Sequence, residues 1–141
     1  MKQDGASLLR FEVAYGKAYA SLAMGRTSQL VLEKWKEKPT FMQDFLALTD
    51  GPMFAEAGGQ LIRDKEGEVV GAIGTTGDAG KIDDLCAIAG IRAAGFKTDT
   101  DFSEADRRRL NIKLSPSVRV PDKGHRVVAV RKKADAKRAR R

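Results

Sequence analysis

Between Gln60 and Gly74 the hydrophobic pattern changes period, and this change limits the folds open to the chain more than any other feature. Gln60-Leu61-Ile62-Arg63 and Glu68-Val69-Val70-Gly71-Ala72-Ile73-Gly74 are short runs rich in β-branched residues, separated by the polar turn Lys65-Glu66-Gly67. Two such runs around a glycine turn read as an antiparallel hairpin. The flanking segments repeat instead every three to four residues. Sheet and helices must therefore bury their apolar sides against one another, which gives an α+β layered domain.

Before the hairpin, Leu8, Phe11, Tyr15, Ala18 and Leu22 predict a helix over residues 7–24, capped by Asp4 or Ser7 and stopped by Gly25. A second helix starts at Thr27, carries Leu30, Val31 and Trp35, and ends before Pro39, whose ring restricts the preceding residue. Thr40 and Gln43 have the spacing of a capping box for a third helix with Phe41, Phe45 and Leu48 on its apolar side, ending at Asp50-Gly51-Pro52. After the hairpin, Ile82, Leu85, Ala89 and Ala93 predict a helix with Asp83 and Asp84 near its N-terminus and Gly95 at its end. Ser103 and Asp106 form another helix-start pair. Val118-Arg119-Val120 and Val127-Val128-Ala129-Val130 flank Asp122-Lys123-Gly124 as a further small hairpin.

Composition divides the chain near Lys97. Residues 1–96 hold 11 Lys/Arg and 13 Asp/Glu, a balance of −2, whereas residues 97–141 hold 15 and 6, a balance of +9. Thirteen of the 14 glycines precede residue 97. We therefore expect one main domain over 1–96 and a basic, partly flexible extension over 97–141. That extension has the charge for weak, nonspecific binding to nucleic-acid phosphates, but it has no aromatic residue after Phe102 on which bases could stack. The single cysteine, Cys86, excludes an internal disulfide and fits a reducing cytoplasm. No run of about 18 apolar residues suggests a membrane span.

The connection Gly71-Ala72-Ile73-Gly74-Thr75-Thr76-Gly77-Asp78-Ala79-Gly80 joins a strand to a helix. Its glycines allow backbone amides to approach an anion, and Thr75 and Thr76 add hydroxyl donors. It lacks the Gly-Lys-Ser/Thr ending of a nucleotide-binding P-loop and the spacing of a dinucleotide-binding turn. Tight packing alone would also account for the glycines.

Taken in order, Asp4-Gly5-Ala6, Lys17-Ala18-Tyr19-Ala20, Gly25-Arg26-Thr27, Gly58-Gly59-Gln60-Leu61-Ile62-Arg63, Gly71 through Gly77, Asp83 and Cys86-Ala87-Ile88-Ala89-Gly90 resemble the GlcG/HbpS-like haem-degrading family, which also provides the C-terminal part of PduO-type proteins. The resemblance implies a profilin-like antiparallel sheet packed with helices, assembly into a homo-oligomer, and haem as the cofactor or ligand. It also implies that the family's usual N-terminal helix and strand pair are missing ahead of Asp4, which leaves a sheet edge to be covered. Gln60 stands where the family commonly has a leucine-like residue.

The site expected from these readings is Lys17 with Gly74, Thr75, Thr76 and Gly77. Lys17 would pair with a haem propionate or a small carboxylate, or else serve a structural ion pair. No dedicated iron ligand is identified: His125 is read as an exposed loop residue, Cys86 as a buried, inert thiol, and Tyr15 and Tyr19 as packing residues. Asp83 and Asp84 are adjacent, so their side chains diverge by about 100° on a helix and do not make a carboxylate pair. Three functions remain open: a haem- or small-anion-binding protein, an auxiliary enzyme for a small hydroxy- or oxo-acid, and a noncatalytic oligomeric module.

Overall fold

A computed structural model describes residues 2–115. Helix α1 spans Arg10–Met24, α2 Ser28–Glu37, α3 Pro39–Ala47, β1 Gly59–Arg63, β2 Val69–Gly74, α4 Gly80–Ala93 and α5 Glu104–Arg109, with a 3-10 turn at Asp99–Asp101. The two strands form an antiparallel hairpin packed against helices, an α+β arrangement. Asp64 closes its turn by accepting the amides of Gly67 and Glu68 at 2.9 and 2.8 Å.

The hairpin's position is set by an approach only glycine permits. Gly59 and Gly74 are directly opposed across the two strands. A Cβ on Gly74 would lie 1.8 Å from the Ala14 carbonyl oxygen, and one on Gly59 would lie 2.4 Å from that of Lys17. The backbone of α1 therefore rests on a glycine–glycine pair. On the other face of β1, the Gln60 side chain reaches Asp84 on α4. The hairpin thus lies between α1 and α4. Ala20, Val31 and Met42 form the core between α1, α2 and α3, with Met24, Trp35, Met53 and Ala55 packed around it.

Close seating on the strands also reverses the expected orientation of α1. Its buried residues are Gly16, Lys17, Ala20 and Ser21, while Leu8, Phe11, Tyr15 and Leu22 are exposed. Small side chains let the helix come down onto the glycine pair; the bulky stripe cannot. The helix also begins at Arg10, three residues later than predicted, without a side-chain cap. Gly25 ends it in the left-handed conformation at φ 61°.

Four further expectations are corrected. Helix α3 begins with Pro39 in its first turn and has no side-chain cap, so Thr40 and Gln43 do not form a capping box; a helix-start proline lacks only an amide that would have had no intrahelical partner. Met42, not Phe41 or Leu48, is its buried residue. Helix α4 buries Asp83, Asp84, Ala87, Ile88 and Ile91, leaving Ile82 and Leu85 outside. Both sets have helical spacing, and the hydrogen bonds of Asp84 select the phase. Cys86, on the outer side, is consequently exposed rather than buried.

Lys97 and Asp99, just beyond Phe96, attach to β1. Arg63 and Lys97 exchange two backbone hydrogen bonds of 2.9 Å. The Arg63 guanidinium bonds Asp99 at 2.6 Å and the Gly67 carbonyl at 2.7 Å. Ser103 caps α5 by accepting the Asp106 amide, as its spacing predicts. The hairpin expected over 118–130 and His125 lie outside the described residues. Among the described residues, no helix is long and apolar enough to cross a membrane.

Candidate functional site

The Gly74–Gly77 loop separates a buried polar junction from an open cleft. In the junction, Lys17 is buried, only 4% exposed, and its ammonium is held on two sides. It donates to the Thr75 carbonyl at 3.0 Å and to Asp83 Oδ2 at 3.1 Å. Asp83 Oδ1 accepts the Asp78 amide at 3.2 Å. Asp84 Oδ1 accepts the Gly58 amide at 2.7 Å and Gln60 Nε2 at 2.8 Å, while its Oδ2 is buried without a partner. Burial pushes the Asp84 carboxyl above its ordinary range, against the lowering effect of its hydrogen bonds and of Lys17. Gln60, the residue noted as a departure at the sequence level, is thus the side-chain donor to this carboxylate.

The cleft has a volume of about 800 Å³ and lies between the segment Lys2–Ser7, the outer side of α1 and the end of β2. Ala14, Ala18, Ala72 and Ile73 provide apolar lining, and Phe11 and Tyr15 bring aromatic rings into it. Those rings stack with centroids 6.3 Å apart and planes 15° apart. Arg10 is the cation on the α1 wall, and one of its guanidinium nitrogens donates to Thr76 Oγ1 at 3.3 Å.

Of the five site residues read from the sequence, Gly74, Thr75, Thr76 and Gly77 line this cleft. Lys17 lies behind it, engaged with Asp83. Thr75 is held from the junction side, its hydroxyl bonding to the Gly58 and Asp83 carbonyls and its amide to Gly58. Thr76 is the more available hydroxyl. Asp83 and Asp84 turn to different partners, as their helical separation requires. Sequence reasoning missed Arg10 and Phe11. The signal was present, since Arg10, Ala14 and Ala18 are spaced four apart on one helix side, but the stripe of larger residues was assigned to the core.

Residues 1–92 match the family model described as haem degrading protein HbpS-like. The chain belongs to the HbpS-like family. No curated protein and no solved structure matches it. Membership agrees with the order of motifs from Asp4 to Gly90 and supports a general haem- or small-molecule-binding role. Among the described residues, no group of three or more His, Cys, Asp or Glu side chains converges to hold a metal ion.

Proposed function

We propose that this HbpS-like chain binds haem, or a similar planar molecule bearing carboxylates, in the cleft between α1 and the end of β2. The observation that carries the reading is the cleft's pairing of an aromatic wall with a lightly held guanidinium. Small-molecule sites commonly enclose roughly 300–1,000 Å³ and combine apolar lining with a few polar anchors. Arg10 and Thr76 would meet the carboxylates, and Gly74 and Gly77 keep that end of the cleft free of side chains. Lys17 serves the site from beneath by fixing the Thr75 carbonyl. Titration of the full chain with haem should give a saturable, stoichiometric shift of the Soret band; its absence would remove the haem reading.

A second reading is favoured by the outer edge of β2. The Thr75 amide bonds the Gly58 carbonyl, so by strand alternation the backbone groups of Ala72 and Gly74 point away from β1. Val69 and Val70, exposed nearby, add apolar surface. Such an edge invites another strand, and a second copy would extend the hairpin toward a profilin-like sheet. Ala72 and Gly74 also line the cleft, so strand and ligand would compete. Sedimentation equilibrium should show an oligomer that haem shifts toward smaller species; a monomer at micromolar concentration would count against it.

The basic extension over 97–141 is proposed to add weak, sequence-independent attraction to nucleic acid. Its +9 balance would release counterions from phosphates. Binding that persists near physiological salt and distinguishes between sequences would contradict this assignment.

A further inference from the structure

We infer that the outer face of α4 is a docking surface for α4 of a second copy of this chain, the two helices running antiparallel across a two-fold axis. The observation that points there is Gly90. Every other described glycine has a reason within its own chain: a positive φ, or an atom within 4 Å of where a Cβ would stand. Gly90 has neither, although it lies inside α4, where glycine weakens a helix relative to alanine. What its missing side chain leaves open is the solvent side of the helix.

Around that opening the face is apolar. Ile82, Leu85, Cys86, Ala89 and Ala93 share it with Gly90 at helical spacing, and all are exposed. Phe96, just beyond the helix end, is 45% exposed. The exposed charges of α4, Lys81 and Arg92, stand near its two ends. Small residues in the middle with larger ones beside them make a surface that another helix can approach closely. A second α4 is the occupant that fits, because a close crossing needs small residues on both helices and this helix supplies them to both. Antiparallel pairing also opposes the two helix dipoles. Two such faces would together remove on the order of 1,000 Å² from water, near the lower limit for a specific interface, so the dimer should form at micromolar concentration. The face lies across α4 from Asp83 and Asp84, and none of its residues lines the cleft. It is therefore independent of the haem reading and distinct from the edge of β2.

Cys86, the chain's only cysteine, stands at the middle of α4 and so reports on the pairing. Sedimentation equilibrium of the reduced, haem-free, full-length chain should show a reversible dimer at micromolar concentration. A short bismaleimide should link its two copies through Cys86. Gly90→Leu should raise the dissociation constant by at least about tenfold and abolish the linking. Its urea midpoint should stay at or above that of wild type, because leucine favours the helix and its Cβ meets open space within the monomer. Leu85→Lys, which adds a charge to the same face, should weaken the dimer likewise. A wild type that remains monomeric would overturn the assignment. So would a dimer that survives both substitutions, which would belong to another surface such as the edge of β2, and so would a dimer whose copies Cys86 does not link.

Discussion

Lys17 and Arg10 are cations on the same helix, seven residues apart, and their surroundings are opposite. Lys17 is enclosed, with its ammonium bonded to a carbonyl and a carboxylate that are themselves held by neighbouring groups. Arg10 is exposed and makes one long hydrogen bond to a hydroxyl. A buried charge with fixed partners cannot turn to a ligand without leaving those partners unpaired. A charge at the rim of a cleft loses little by doing so. The junction is thus suited to holding α1, the hairpin and α4 together, and the cleft to recognition.

The largest effect that could break this division comes from Lys17→Met. Removing the ammonium leaves the Asp83 carboxylate buried and the Thr75 carbonyl without its donor, a change that typically costs about 3–5 kcal/mol. Urea unfolding should show a large fall in midpoint or loss of the cooperative transition. Adding Asp83→Leu should recover part of that loss, because an apolar pair can replace a buried ion pair at modest cost. Wild-type stability in the single variant would mean that the junction does not secure the fold.

Arg10→Gln should have the converse profile. Its side chain is solvent-exposed, so the change in stability should stay within about 0.5 kcal/mol. Haem affinity should fall about tenfold, in line with loss of a charge-assisted hydrogen bond. The difference from wild type should shrink as salt is raised. Unchanged affinity at low salt would show that the guanidinium is not the anion partner.

Much of the fold can be read in the sequence because its signals are local. The hairpin follows from β-branched runs around Lys65-Glu66-Gly67, the end of α1 from Gly25, and the α5 cap from Ser103 and Asp106. The faces of α1 and α4 were harder to assign because phase is a tertiary property. On α4, the series Ile82, Leu85 and Ala89 and the series Ala87, Ile88 and Ile91 both satisfy a helical period. What decides between them is Asp84 meeting Gly58 and Gln60, residues more than twenty positions away. On α1, larger apolar side chains marked the wrong side because the contact is a backbone approach to Gly59 and Gly74. The same phase problem concealed the roles of Lys17 and Arg10. The glycine-rich loop was legible as a place, whereas the partner that each side chain would find there was not. The change in composition at Lys97 likewise gives no sign that backbone hydrogen bonds cross it to Arg63.

The smallest expected effect lies within the junction, at Asp84, whose carboxyl titrates above its ordinary value of 3.8 chiefly because it is buried. A folded-state value above the unfolded one means that the folded protein holds this proton more tightly. Below pH 3.8 both states are protonated and this group carries no ionisation penalty. As pH rises, the unfolded chain loses the proton first, so stability falls until the folded carboxyl has also ionised; above that point the penalty is constant. Asp84→Asn has no such titration. Its amide oxygen can accept the same bonds from Gly58 and Gln60, and its nitrogen replaces an oxygen that already lacks a partner. The variant should therefore be more stable than wild type near neutral pH, by on the order of 1 kcal/mol, a typical size for a single substitution. This advantage should disappear as pH falls toward 3.8. Asp99 and Asp101 also titrate abnormally, but they are present in both proteins and largely cancel in the difference. Paired urea titrations across this acidic range measure that difference directly. A constant offset between the two proteins would show that burial does not govern Asp84, and an advantage growing toward low pH would reverse the assigned sign.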